Sequence, residues 1–407
     1  MNLGQSCPVS ASSPSDGNSS FALEAQDGSD GFIGGRLSWL LAGVGIAGLV
    51  AAAVASPAQA RAAASQDWSP FVLVIGLLLI GLVVADDGLF AAAGHQLARL
   101  ARNGAVLFLG ATVMVGVVTA VLNLDTSVAF LTPVLVYTAR SRGGGEAPLL
   151  YGCVLLSNAG SLFLPGSNLT NLIVLGHHHL SGAAFLTHMW APALAGLVVT
   201  AVVIAVLERR VLRVNAEELA LSVRPKFRLG LVAIVLATVL VLALRSPALP
   251  VAIVGFVAVG VRLATKREKL RRVVEVIGVP VLVGLFGVAV ALGTLGRAWS
   301  GPATLLAHLD LWGTGVFAAA SSVLVNNLPA ASLLSARSPG QPFALLVGLN
   351  LGPNLFVTGS LAWMLWLRTA RSAGANPSIL KASRMGAVAV PLSLAAALTV
   401  LLLAGSK

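Results

Sequence analysis

Apolar runs of membrane length follow one another along this chain, and polar residues interrupt them in a pattern that occurs twice. In the first copy Asn123, Asp125, Thr126 and Ser127 precede Pro133, and Ser157-Asn158-Ala159-Gly160-Ser161 then leads to Pro165-Gly166-Ser167-Asn168-Leu169-Thr170-Asn171. In the second, Asn326-Asn327-Leu328-Pro329 is followed by Asn350-Leu351-Gly352-Pro353-Asn354 and Thr358-Gly359-Ser360. Each copy joins a short polar tip to a hydrophobic segment broken by Gly, Pro, Ser and Asn. Non-helical backbone at bilayer depth survives only where protein or a water-filled cavity satisfies it. A pair of such breaks in corresponding positions of two halves points to a transporter's binding site.

The pattern predicts apolar spans near 37–56, 70–90, 104–122, 127–139, 147–176, 190–207, 229–244, 247–264, 273–296, 312–325, 342–367 and 386–404. A helix needs about 20 residues to cross the hydrocarbon. The 328–336 segment, bounded by Pro329 and Ser338-Pro339-Gly340, is too short and reads as the returning arm of a hairpin with its tip at Asn326-Asn327. Residues 104–139 read as the equivalent first hairpin. Residues 1–35, rich in Ser, Gly, Asp and Ala, read as a disordered cytoplasmic tail. The Ala58-Gln59-Ala60 sequence is similar to a signal-peptidase site, but the long polar leader favours an uncleaved first helix.

Loop charge gives these spans a direction. The segments 208–228 and 262–272 each carry six Lys or Arg, and placing both in the cytoplasm puts 95–103, 140–142, 368–384 and Arg36 on the same side. Only Arg61, Arg245, Arg297, Arg337 and Lys407, five of the 26 basic residues, then lie outside. Such asymmetry is the positive-inside signature. It makes the first hairpin enter from the cytoplasm and the second from outside. The expected fold is therefore an all-α polytopic membrane protein with two inverted-topology repeats, each holding a re-entrant helical hairpin and a broken transmembrane helix. The repeats run over 36–207 and 247–407, with a basic cytoplasmic linker and connecting helix at 208–246. The expected setting is the inner (plasma) membrane, N-terminus cytoplasmic and C-terminus outside.

With 57% hydrophobic and 10% charged residues, no stretch has the polarity of a soluble domain. The net charge of +11 resides in loops between spans, not in runs interleaved with stacking aromatics, so nucleic acid is not an expected partner. Cys7 and Cys153 are the only cysteines, which excludes a thiolate cluster. His177-His178-His179 reads as a solvated outer loop, since adjacent imidazoles do not share a helical face. No resident metal or cofactor is expected.

A small polar solute in the bilayer needs partners that replace its hydration shell, and Asn, Ser and Thr supply them. The candidate substrate-binding residues are Asn123, Thr126, Asn158, Ser161, Ser167, Asn168, Asn171, Asn326, Asn327, Asn350, Asn354, Thr358 and Ser360. The competing role for any of them is to cap helix ends or fix tight packing. Asp125 is the candidate ion-coupling residue, because ionisable groups inside membranes are costly and functional by default. Asp86 and Asp87 read equally well as interfacial. An intramembrane enzyme would need a nucleophile with its base, or a motif such as H-E-x-x-H, and neither occurs. His308 and Asp310 form the only local acid–base pair, at an outer mouth. A scaffold or receptor would not require two broken helices.

Several segments resemble the arsenical pump membrane proteins of the ion-transporter superfamily. Asp125-Thr126-Ser127-Val128-Ala129-Phe130-Leu131-Thr132-Pro133 is similar to their first hairpin, Ser161 to Asn171 to their first broken helix, and Ser321 to Pro329 with Leu351 to Leu367 to their second half. Asp86-Asp87-Gly88-Leu89-Phe90 fits the acidic end of an early helix. The resemblance implies export of arsenite or antimonite coupled to the proton gradient, membrane lipid as surroundings, a soluble arsenite-stimulated ATPase as an optional partner, and a homodimer as an option. The chain itself has no G-x-x-x-x-G-K-[ST] loop. The family commonly has acids where this chain has Asn158 and Asn350, and Lys where it has Asn354. Those exchanges keep a second reading open: a sodium- or proton-coupled carrier of dicarboxylate, sulfate or another small anion, or a sodium/proton antiporter.

Overall fold

The structure, a computed structural model, describes residues 30–177, 180–213, 229–266 and 268–405, and all its regular elements are helical. The chain divides into two units, 1–37 and 38–407. Most of the expected tail, together with His178, His179 and the linker at 214–228, falls outside the described residues. In chain order the helices are α1 (Asp30–Ala55), α2 (Pro57–Asp86), α3 (Leu89–Leu100), α4 (Gly104–Val121), α5 (Leu124–Arg140), α6 (Ala147–Gly160), α7 (Leu169–Val174), α8 (Gly182–Leu207), α9 (Arg209–Leu212) and α10 (Leu229–Ala243). They continue as α11 (Ala248–Ala264), α12 (Leu270–Ile277), α13 (Val279–Ala298), α14 (Gly301–His308), α15 (Leu311–Val325), α16 (Asn327–Leu334), α17 (Pro342–Leu351), α18 (Leu361–Ser372) and α19 (Ile379–Gly405).

Six stretches among the described residues are long and apolar enough to cross a membrane: Ser38–Ala55, Pro57–Asp86, Gly104–Val121, Gly182–Leu207, Leu270–Ala298 and Ile379–Gly405. The second begins well upstream of the apolar run that signals it. Pro57 occupies the first turn, where its missing N–H costs nothing, and the Ala-rich stretch after it has high helix propensity. Gln66 and Asp67 are thereby carried into a helix that hydropathy alone would start near residue 70. Ala58-Gln59-Ala60 lies in its opening turns.

The same order of elements appears in both halves. Hairpin α4/α5 is followed by broken helix α6/α7 and long helix α8; α15/α16, α17/α18 and α19 repeat the series. The packing repeats as well: α4 lies on α6 as α15 lies on α17, and α8 packs along α19. The returning arms cross over. Arm α5 packs on α18, and arm α16 packs on α7, so each hairpin touches the distal half of the other half's broken helix.

Every ion pair in the described residues lies among the helix ends and loops read as cytoplasmic. Arg262 contacts Asp87, and the other carboxylate oxygen of Asp87 accepts from the Gly230 N–H at 2.7 Å, which ties together α2, α10 and α11. Arg272 joins Asp86 at 2.7 Å and Glu268 at 3.3 Å, and Lys381 joins Glu208 at 2.6 Å. Arg140 pairs with Glu146 and donates to the Ala373 and Gly374 carbonyls, capping the end of α18. Asp86 and Asp87 are thus structural anchors. Because Arg262 and Asp87 are both buried, removing one strands the other's charge. Arg262→Leu should cost about 3–5 kcal/mol in unfolding of the detergent-solubilised protein, and Asp87→Leu added to it should recover part of that loss.

Candidate functional site

Both broken helices stop for local reasons. Helix α6 ends at Gly160, Pro165 cannot donate to the helical ladder, a 3₁₀ turn follows at Pro165–Ser167, and Asn168 restarts the chain by accepting from the Thr170 N–H at 3.1 Å. Helix α17 ends at Leu351, Gly352–Leu355 forms a 3₁₀ turn around Pro353, and α18 begins after Ser360. Each break leaves carbonyls and N–H groups that a helix would have paired.

Side-chain amides bind the two breaks to each other and take up part of these groups. Asn350 Nδ2 donates to Asn171 Oδ1 and to the Leu346 carbonyl, both at 2.8 Å, while its Oδ1 accepts from Asn168 Nδ2 at 2.8 Å and Ser161 Oγ at 2.5 Å. Asn158 Nδ2 donates to Asn354 Oδ1 at 3.0 Å, and Asn354 Nδ2 donates to the Leu155 carbonyl at 2.9 Å. Asn171 Nδ2 reaches the Ser161 carbonyl at 2.7 Å and the Leu164 carbonyl at 3.2 Å. All of these side chains are buried. Gly386 of α19 crosses so close that a Cβ there would lie 1.8 Å from the Asn354 carbonyl oxygen, so only glycine permits this approach.

The hairpin tips are capped in matching fashion. Asn123 Oδ1 accepts from the Thr126 N–H at 2.6 Å, and Asn326 Oδ1 accepts from the Leu328 N–H at 3.3 Å. Asn326 has φ 76°, unusual outside glycine, and its Nδ2 donates to the Thr358 carbonyl at 3.0 Å while the Asn327 N–H donates to the Gly359 carbonyl at 2.9 Å. A strained residue of this kind persists only where its neighbours over-determine it. Ser127 and Ser157 hydroxyls meet at 3.1 Å, binding the first hairpin to α6.

Between the tips lies a cleft with about 310 Å³ of empty space, part of it open to the exterior. Its lining is a set of helix beginnings: Leu124 and Asp125 of α5, Asn168 and Leu169 at α7, Asn326, Asn327 and Leu328 at α16, and Ser360, Leu361 and Ala362 at α18, with Leu285 of α13 beside them. Four helix N-termini, two from each half, converge there with their partial positive charge, and Asn123, Asn168 and Asn326 cap one N–H group each at three of them. Asp125 is the sole charged residue in the lining, and neither it nor the Asn327 side chain has a hydrogen-bond partner within the described residues.

The candidates therefore fall into two groups by position. Asp125, Asn168, Asn326, Asn327 and Ser360 border the cleft, while Asn158, Ser161, Asn171, Asn350 and Asn354 hold the breaks together. Ser167 donates to the Ala120 carbonyl at 3.0 Å and Thr358 to the Val323 carbonyl at 2.7 Å. Asn123 Nδ2, Thr126 Oγ1, Thr119 Oγ1 and Thr170 Oγ1 are buried without partners among the described residues. Asp310 caps α15 by accepting from the Gly313 N–H at 2.7 Å, and His308 contacts the Thr304 carbonyl, so the two serve separate local roles.

Two further anchors are Trp363 and Trp366, whose indole N–H groups donate to the Pro353 and Leu150 carbonyls at 2.9 and 2.8 Å. The available signal was a Trp inside a broken apolar segment, since a buried indole N–H requires an acceptor. Asn350 is the centre of the amide cluster. Asn350→Leu should strand groups on Ser161, Asn168 and Asn171 and cost on the order of 3 kcal/mol in unfolding, whereas Asn327→Leu, at a side chain bonded to nothing, should cost well under about 1 kcal/mol.

The chain is similar to known transport proteins over most of its length. A solved structure of the Alcanivorax borkumensis YdaH transporter, described as having an unusual topology, superimposes with TM-score 0.55 at 15% identity, covering 84% of this chain and 86% of that one. An arsenical pump membrane protein of Escherichia coli is 24% identical across 74% of this chain and 78% of its own length. A 46 kDa membrane protein of Mycobacterium leprae is 24% identical across 81% and 85%. Residues 32–367 match the family model CitMHS, described as citrate transporter. With its two hairpins, two broken helices and membrane-length apolar helices, this chain is a multi-pass membrane transporter belonging to the CitMHS family.

Proposed function

We propose that the chain is a secondary active transporter that exports arsenite or antimonite in exchange for protons, with the cleft as solute site and Asp125 as the proton-carrying group. The observation that carries this reading is an unpartnered carboxyl in a cleft otherwise lined by amides, a hydroxyl, apolar side chains and helix N-termini. Arsenite near neutral pH is a small, uncharged, hydroxylated molecule, and Asn168, Asn326, Asn327 and Ser360 offer it both donors and acceptors. A multiply charged carboxylate would meet Asp125 and no Lys or Arg in the lining. The arsenical-pump relatives favour the same cargo.

Proton and solute then compete or cooperate through one small volume. Protonating Asp125 removes the negative charge from the cleft, and linkage makes that change in solute affinity reciprocal. Inverted repeats at 36–207 and 247–407, with the N-terminus in the cytoplasm, would present the same site to either side in turn. The exchange needs no ATPase, although a soluble one could be added to it.

The second reading is a small oxyanion as cargo, favoured by the four converging helix N-termini and by the citrate description of the family. Uptake of arsenite, sulfate and dicarboxylates into everted vesicles, under imposed proton or sodium gradients, separates the two. Asp125→Asn should reduce gradient-driven arsenite flux by at least about tenfold, in line with loss of an essential proton carrier, while solute counterflow without a gradient persists. Gradient-driven flux equal to wild type would overturn the role given to Asp125.

A further inference from the structure

A second buried acid lies away from the cleft. Asp67 of α2 is 2% exposed, and among the described residues its Oδ2 has no hydrogen-bond partner and it enters no ion pair. The nearest cation, Arg297 of α13, is committed elsewhere: its guanidinium donates to the Gly293 carbonyl at 2.9 Å and to Gln66 Oε1. Gln66 Nε2 in turn donates to the Ile173 carbonyl at 2.8 Å, at the end of α7. Gly176 makes room for this link, since a Cβ there would lie 2.7 Å from Gln66 Cγ. Among the described residues, Arg297 is the one charged group that acts on Asp67.

A fully ionised carboxylate in such a place would be uncompensated, at a cost far beyond that of holding a proton. Asp87 is held in contact by Arg262, whereas Asp67 forms no ion pair with Arg297. Its position adds meaning: the start of α7 borders the cleft of Asp125, and the end of α7 is held by Gln66, the residue next to Asp67. At about 1.5 Å per residue, this six-residue helix is about 9 Å long and reaches from the cleft to the residue beside Asp67.

We propose that Asp67 is a second proton-binding site of the transport cycle, at the opposite end of α7 from Asp125. The proposal deepens the proton-coupled reading above and rests on it for the word cycle. Binding is the simple addition of one proton to one carboxylate oxygen, with Arg297 as the fixed charge that favours its release.

The test uses full-length protein in lipid, without cargo or gradient. Infrared difference spectra between about pH 5 and about pH 9, a window that covers carboxyls displaced by burial, follow the carbonyl band of protonated acids. Asp67→Asn should remove one contribution and Asp125→Asn a different one. Arg297→Gln should move the Asp67 contribution to higher pH, because a nearby positive charge is lost. Spectra of Asp67→Asn superimposable on wild type overturn the proposal; if that variant does not fold, an unmoved contribution in Arg297→Gln does so. In vesicles, Asp67→Asn should keep solute counterflow and lose at least about tenfold of the proton-driven flux. The infrared result stands whatever the cargo proves to be, so failure of the arsenite reading and failure of the second site are distinguishable.

Discussion

Backbone that leaves a helix inside a membrane must find its hydrogen bonds within the protein, and this constraint organises the whole molecule. Asn350 shows how it is met. One amide from the second half accepts from two side chains of the first half and donates to a third, while also returning a bond to its own helix. Asn354 and Asn158 repeat the arrangement a turn away. The two breaks are stable only together, because each supplies the partners that the other lacks. A neutral amide suits this task better than a carboxylate, which cannot donate, or an ammonium, which cannot accept.

That mutual satisfaction explains why the cleft is chemically sparse. Most of the polar residues concentrated at the breaks are occupied with one another, so the space between the hairpin tips is left to the first residues of four helices and one carboxyl. The crossed packing, α5 on α18 and α16 on α7, aims those four helix beginnings at one point. The strained Asn326, fastened by the Thr358 and Gly359 carbonyls, keeps the second tip in register with the break opposite. Solute binding would thus draw on oriented backbone dipoles whose alignment was settled in folding.

Charge is divided between two regions. The ion pairs all sit among the ends of α2, α5, α8, α11, α12 and α19 and their loops, where Asp87 with Arg262 and Asp86 with Arg272 clamp the connecting helices to α2. Within the apolar body, Asp125 and Asp67 have no such partners among the described residues. Helix α7 borders the cleft of Asp125 at its start and is bonded at its end by Gln66, the neighbour of Asp67.

Much of this was legible in residue order because hydrophobicity and chain-breaking residues act locally. Pro165, Gly352, Pro353 and the polar tips at Asn123 and Asn326-Asn327 mark where helices must stop, and the lengths between them separate spans from hairpin arms. Partner choice was not legible, since Asn168 and Asn171 look alike in sequence, yet one borders the cleft and both bond Asn350 from 179 or more residues away. Asp67 was missed for a related reason: its Ala-rich, partly polar surroundings read as a loop, and only the tertiary packing of α2 buries it. Sequence alone determined where the backbone would break and which residue types could repair it. Tertiary structure decided which amides were consumed by that repair and which acids stayed unpaired, because hydrogen bonding and burial depend on what the rest of the chain brings near.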